Sequence, residues 1–145
     1  MSKQIKYISK SEQETYKLAQ DFARNLSGGE TICLIGDLGS GKTAFTKGLA
    51  QGLGVEKIIT SPTFVLMKIY SANFGVISKL AHIDAYRLSG GADLEAIGLG
   101  DYINDPSCVT VIEWADRVKD IWPKNCLEIN FKTLSGDERE IEIKP

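Results

Sequence analysis

Thr31-Ile32-Cys33-Leu34-Ile35 is an unbroken apolar and β-prone run that passes directly into Gly36-Asp37-Leu38-Gly39-Ser40-Gly41-Lys42-Thr43. A run without alternation reads as a strand covered on both faces, the situation of a parallel sheet flanked by helices. The eight residues after it fit G-x-x-x-x-G-K-[ST], and Ala44, Phe45, Leu49, Ala50 and Leu53 then recur at helical spacing up to a stop at Gly54. Strand, glycine loop and helix in this order make a phosphate cradle. The glycines let successive N–H groups face one anion, and the helix start adds its positive dipole end. Asp37, Leu38, Gly39, Ser40, Gly41, Lys42 and Thr43 are therefore the expected binding residues for a nucleoside triphosphate. Lys42 reaches the β- and γ-phosphates as a point charge, and the Thr43 hydroxyl takes one position on Mg²⁺.

Around this unit the chain reads as alternating strands and helices. Ile5 to Ile8 is a short strand, and Ser11 with Glu14 forms a capping box ahead of a helix through Leu26, ended by Gly28-Gly29. Phe64 to Tyr70 and Val76 to Ile83 read as strands, with an irregular segment from Ser71 to Lys79, and Asp93 to Leu99 as a short helix. Val109 to Ile112 is a second strand of the buried type, followed by a helix from Ala115 to Ile121 that Pro123 helps to end. Leu127 to Phe131 and Glu140 to Ile143 alternate around Ser135-Gly136-Asp137, which predicts a hairpin at the sheet edge. The fold class expected is α/β: a three-layer P-loop NTPase sandwich with a mainly parallel central sheet and antiparallel edge strands.

The length of 145 residues allows one domain over 1–145. With 43% hydrophobic and 25% charged residues the chain has the composition of a folded globular protein, which excludes disorder and fibrous classes. A net charge of −2, from 17 basic and 19 acidic residues, provides no basic excess to hold nucleic acid unaided. Any RNA role therefore needs a partner. No apolar run of membrane-spanning length and no secretory leader is visible, so a cytoplasmic location is expected. Cys33, Cys108 and Cys126 are odd in number and form no C-x-x-C pair, so they are read as small core side chains.

Two acids follow buried-type strands. Glu113 ends the stronger one and reads as the carboxylate that holds the metal directly or through water, while Asp84 reads as a second metal-shell acid or as the orienter of the attacking water. On sequence grounds these two roles are interchangeable. Thr60-Ser61-Pro62-Thr63-Phe64 follows the phosphate-loop helix and is the place for a switch segment, with Thr63 sensing the γ-phosphate or metal. His82, the only histidine, reads as a structural or supporting hydrogen bonder. Trp114, next to Glu113, is placed to line the nucleotide site.

Taken together, Gly36 to Thr43, Thr60-Ser61-Pro62-Thr63-Phe64, His82-x-Asp84-x-Tyr86-Arg87-Leu88 and Glu113-Trp114-Ala115-Asp116-Arg117 resemble the TsaE (YjeE) family, bacterial ATPases of tRNA threonylcarbamoyladenosine biosynthesis. The resemblance spans about residues 5 to 143. It implies ATP and Mg²⁺ as ligands, TsaB and TsaD as partner proteins, and contact with tRNA only through that complex. It also implies that Lys42 and Thr43 bind phosphates and Mg²⁺, that Glu113 joins the metal site, that Asp84 serves hydrolysis, and that Thr63 lies in a switch-like loop. Two departures are visible: Asp116 stands where Glu is often found in the family's Glu-Trp-x-Glu-Arg form, and the segment Ser71 to Lys79 before His82 is irregular.

Other classes are weighed against this one. A regulatory GTPase needs Asn-Lys-x-Asp, which is absent after Thr43. A small P-loop kinase acting on a small-molecule acceptor is the main enzyme alternative, with Arg87 and Arg117 flanking the acids. A nucleotide-dependent binding module, reset by slow turnover, overlaps the family role.

Overall fold

The structure is a computed structural model that describes residues 4–60, 62 and 65–145. Seven strands form one sheet in the order β1-β7-β6-β2-β5-β4-β3. They are β1 (Ile5–Ser9), β2 (Thr31–Gly36), β3 (Met67–Phe74), β4 (Ile77–Asp84), β5 (Cys108–Glu113), β6 (Leu127–Thr133) and β7 (Arg139–Lys144). The central strands β6, β2, β5 and β4 pair in parallel, whereas β1–β7, β7–β6 and β3–β4 pair antiparallel. Both edges are thus antiparallel, as expected.

Helices α1 (Glu12–Ala23) and α2 (Lys42–Gly52) cover one face, and α3 (Ala92–Ala96), α4 (Gly100–Ile103) and a 3₁₀ helix at Ala115–Ile121 cover the other. The period of two along β2 explains the two cores. Ile32 and Leu34 pack with Ala19, Phe45 and Leu49 on the first face, while Cys33 packs with Leu88, Leu94, Leu99 and Val118 on the second. Every residue of β5 is buried, which is what a central parallel strand between two helical layers requires. Cys33 and Cys108 are buried and Cys126 partly so, all three as free thiols.

α1 starts as its sequence dictates, with the Ser11 side chain accepting from the Glu14 N–H at 3.1 Å. It ends at Ala23, and single turns then carry the chain to Leu26, which still enters the core. α1 and α2 touch closely because Gly48 has no Cβ: one built there would stand 2.1 Å from the Tyr16 carbonyl oxygen.

Several expectations need correction. Of the strand expected over Phe64 to Tyr70, Phe64 lies outside the described residues, and β3 itself begins at Met67 and runs on to Phe74 alongside its partner β4. The segment from Ser71 does carry an irregularity, a register shift between Ser71 and Phe74. The C-terminal hairpin lies one strand inside the sheet, since β1 pairs with β7 and takes the edge. The helix expected over Asp93 to Leu99 ends at Ala96, a further short helix not expected from sequence follows at Gly100–Ile103, and the segment at Ala115–Ile121 is 3₁₀ and broken at Val118 (φ −133°, ψ 38°). Among the described residues no helix is long and apolar enough to cross a membrane.

Candidate nucleotide site

β2 delivers Gly36 to the carboxyl edge of the sheet, and α2 begins six residues later at Lys42. The turn between them needs two left-handed residues, Gly39 (φ 76°) and Gly41 (φ 109°), conformations that cost a side-chain-bearing residue about 1–2 kcal/mol. Gly41 is the N-cap of α2 and offers no side-chain cap, so the first N–H groups of the helix face the adjacent cleft without a side-chain acceptor. Ser40 is buried and its N–H donates to the Asp37 carbonyl at 3.1 Å, which closes the loop on itself.

Lys42 lies almost fully inside this loop, only 5% exposed. Its ammonium donates to the Gly36 carbonyl and, at 2.8 Å, to that of Asp37, and it stands 4.0 Å from the centre of the Trp114 ring. Burial pushes its pKa below the ordinary lysine value, an effect that Glu113, Asp37, Asp116 and Asp84 oppose. A cation held at a rigid backbone turn, in a partly desolvated setting, is a strong and directional attractor for an anion.

The parallel pairing of β4 with β5 puts Asp84 directly beside Glu113 in register. The alternation along both strands sends His82, Asp84 and Glu113 to the α2 face, so the two acids stand at one height opposite the helix start. Glu113 is buried and its two oxygens are assigned separately: Oε1 accepts from the Thr43 hydroxyl at 3.2 Å, and Oε2 meets His82 Nε2 at 2.5 Å. Oδ1 of Asp84 accepts from the Tyr86 N–H at 3.0 Å. Directly after Glu113 the backbone of Trp114 adopts a left-handed conformation (φ 58°, ψ 39°), alone among the described non-glycine residues. That turn swings the indole over Lys42, with the Tyr86 ring 4.9 Å away and the Arg117 guanidinium 5.4 Å away.

A cleft of about 350 Å³ opens among these groups. Of the residues expected from sequence, Leu38, Gly39, Gly41, Lys42, Thr43, Asp84, Glu113 and Trp114 face it. Asp37 and Ser40 do not line the wall and instead shape the loop, through the Asp37 carbonyl and the buried Ser40 hydroxyl, 3.5 Å from the Lys42 ammonium. Thr63 lies outside the described residues. The sequence reading missed six further lining residues: Ala44, next to Thr43, and, far from the loop in sequence, Ser11, Glu12 and Thr15 at the start of α1 with Asp137 and Arg139 at the β6–β7 turn. Arg139 also braces the loop, its Nη2 donating to the Gly39 carbonyl at 3.1 Å. No local motif marks the distant residues, because β1 and β7 bring them to the loop only through the strand order.

Among the described residues no three His, Cys, Asp or Glu side chains converge to hold a metal ion. The hydroxyl of Thr43 and the carboxylates of Glu113 and Asp84 are all hard oxygen donors on one wall, a set that suits Mg²⁺ completed by phosphate and water.

A family model described as "Threonylcarbamoyl adenosine biosynthesis protein TsaE" matches residues 9–141. The chain is 40% identical over 139 residues to the tRNA threonylcarbamoyladenosine biosynthesis protein TsaE of Bacillus subtilis, covering 96% of this chain and 84% of that protein. It is 43% identical over 138 residues to the TsaE protein of Aquifex aeolicus, covering 94% and 92% respectively. Among solved structures, the crystal structure of Bacillus subtilis YdiB superposes with a TM-score of 0.77 at 38% identity, covering 99% of this chain and 86% of that one.

Proposed function

The chain belongs to the TsaE family, whose members are proteins of tRNA threonylcarbamoyladenosine biosynthesis, and from that premise we propose that it binds ATP with Mg²⁺ and hydrolyses it in support of that tRNA modification, acting in a complex with TsaB and TsaD. The observation that carries the reading is the buried Lys42 ammonium, set in a loop of positive-φ glycines at an uncapped helix start, with Thr43 and Glu113 joined on the same wall.

The roles follow from what each group can do. The loop amides and Lys42 receive the phosphate chain; on binding, the ammonium exchanges backbone carbonyls for phosphate oxygens at little reorganisation cost. Thr43 and Glu113 would hold Mg²⁺, the carboxylate directly or through water. The ion, when bound, neutralises charge on the β- and γ-phosphates. Asp84, level with Glu113 in the sheet, orients water toward the terminal phosphate. Trp114 covers Lys42 and limits water on that side. With a chain of net charge −2, contact with tRNA runs through the partner proteins.

Phosphate release measured alone and with TsaB and TsaD tests this reading. Stimulation by the two proteins, with no acceptor needed, is expected; strict dependence on a small-molecule acceptor points to the kinase alternative. Lys42→Ala should abolish ATP binding, and Glu113→Gln should retain binding and stop turnover. Normal hydrolysis by Glu113→Gln would refute its assignment.

A further inference from the structure

His82 lies on β4, two residues before Asp84, and is fully buried. In the sheet it stands opposite Val111, which brings its ring onto the same face as Glu113, two residues further along β5. Its Nε2 is 2.5 Å from Glu113 Oε2, while its Nδ1 has no hydrogen-bond partner among the described residues. Only one placement of the proton satisfies this geometry. With hydrogen on Nε2 the ring donates to the carboxylate and leaves a bare lone pair on Nδ1. With hydrogen on Nδ1 instead, two acceptor atoms would face each other at bonding distance and a buried N–H would be orphaned.

Glu113 has two oxygens and two fixed neighbours, Thr43 on Oε1 and His82 on Oε2. A carboxylate on a flexible glutamate side chain needs such an anchor to present one oxygen consistently. We infer that His82 is a positioning residue of the proposed ATPase site: its Nε2–H fixes the Glu113 carboxylate so that Oε1 alone is turned to Thr43 and the phosphate loop. The inference rests on the ATP and Mg²⁺ reading for its consequence in turnover, and on the hydrogen bond itself for its structural content.

The test uses the full chain. His82→Phe keeps a flat ring and removes the donor, whereas His82→Gln returns an N–H at a similar reach. His82→Phe is expected to lower kcat and to raise the Mg²⁺ concentration for half-maximal turnover by about 10–100-fold, the usual effect of losing a supporting partner of a metal ligand. Metal-free ATP affinity and KM should stay within about twofold, because Lys42 and the loop are untouched. His82→Gln should recover most of the loss. A second readout needs no turnover and no variant at position 82. The protein has one histidine, so ¹⁵N-labelled wild type gives a single set of imidazole signals, expected to show a protonated Nε2 that shifts in Glu113→Gln. A bare Nε2, or signals indifferent to Glu113→Gln, overturns the proposal even if His82→Phe does not fold. A folded His82→Phe that loses melting temperature but keeps its Mg²⁺ midpoint overturns it too. Should the wild type neither bind nor hydrolyse ATP, the functional reading fails, and the imidazole spectrum still judges the hydrogen bond separately.

Discussion

Gly48→Ala sets two ordinary effects against each other, and the structure decides the sign. In an open helix interior the change gains about 1 kcal/mol, since alanine loses less backbone entropy than glycine. At Gly48 the new methyl group would stand 2.1 Å from the Tyr16 carbonyl oxygen, 2.9 Å from the Tyr16 carbonyl carbon and 3.0 Å from Ala19 Cβ. The first contact is about 1.3 Å short of the 3.4 Å at which ordinary contact begins, and a close-packed interior does not yield that far without loss. The atoms met first belong to backbone, so no rotamer change relieves them; α1 and α2 must part. Parting them loosens Ala19, Phe45 and Leu49 beneath. Overpacking of this kind costs about 1–3 kcal/mol, and the opened contacts add to it, so a net loss of about 2 kcal/mol is expected after the helix gain is subtracted. For a chain of this size that lowers Tm by about 4–8 °C. Because α2 begins with Lys42 and Thr43, ATP affinity should fall alongside. Gly100→Ala in α4 is the control, because no atom of the described residues lies within 4 Å of its added methyl group; it should be neutral or gain up to about 1 kcal/mol. Thermal and urea melts followed by circular dichroism give both numbers. A Gly48→Ala protein as stable as the wild type would refute the close-contact argument.

Two further outcomes follow from burial. Lys42 has a folded-state pKa below its ordinary 10.5, with burial as the main cause, so between those two values the unfolded chain holds more protons and wild-type stability rises with pH. Against Lys42→Met, which cannot titrate, the stability difference should be flat near neutrality and move toward the wild type as pH approaches 10.5; urea melts across that range would show a constant difference if the argument is wrong. The thiols of Cys33 and Cys108 are pushed up chiefly by burial, so a disulfide reagent at pH 8 should leave both unmodified in the native protein and reach them only after denaturation. Prompt native reaction at more than the partly buried Cys126 would contradict their place in the core.

What could be read from the sequence was what is contiguous in it. Thr31 to Thr43 carries strand, turn and helix start in one stretch, and the chemistry of that unit is local: glycine conformations, a helix dipole, one ammonium. The cap at Ser11 was legible for the same reason, since its donor sits three residues away. Features set by strand order were not. Arg139 reaches the Gly39 carbonyl across 100 residues, and nothing in the alternating segment around it distinguishes that arginine from any other at a strand end. The hairpin's position inside the sheet depends on β1 pairing with β7, again a choice between distant strands. Trp114 illustrates the intermediate case: adjacency to Glu113 hinted at the site, but only the left-handed backbone turn shows how the indole comes to lie over Lys42.

The pair of acids shows why a register can remove one argument and supply another. The stronger strand before it was the sequence's ground for preferring Glu113 over Asp84; the structure sets the two side by side, so height in the sheet favours neither. Their surroundings differ. Glu113 is buried and wedged between the Thr43 hydroxyl and the His82 imidazole, so its carboxylate is aimed at the first turn of α2 before any ligand arrives. Asp84 is only partly buried, nearer to water than Glu113, and accepts from the Tyr86 N–H in the turn that follows its own strand. An acid preset toward a hydroxyl suits an ion shared by both, whereas an acid nearer water suits the orientation of a nucleophile. It is on these neighbours, and not on strand strength, that the proposed division of labour rests.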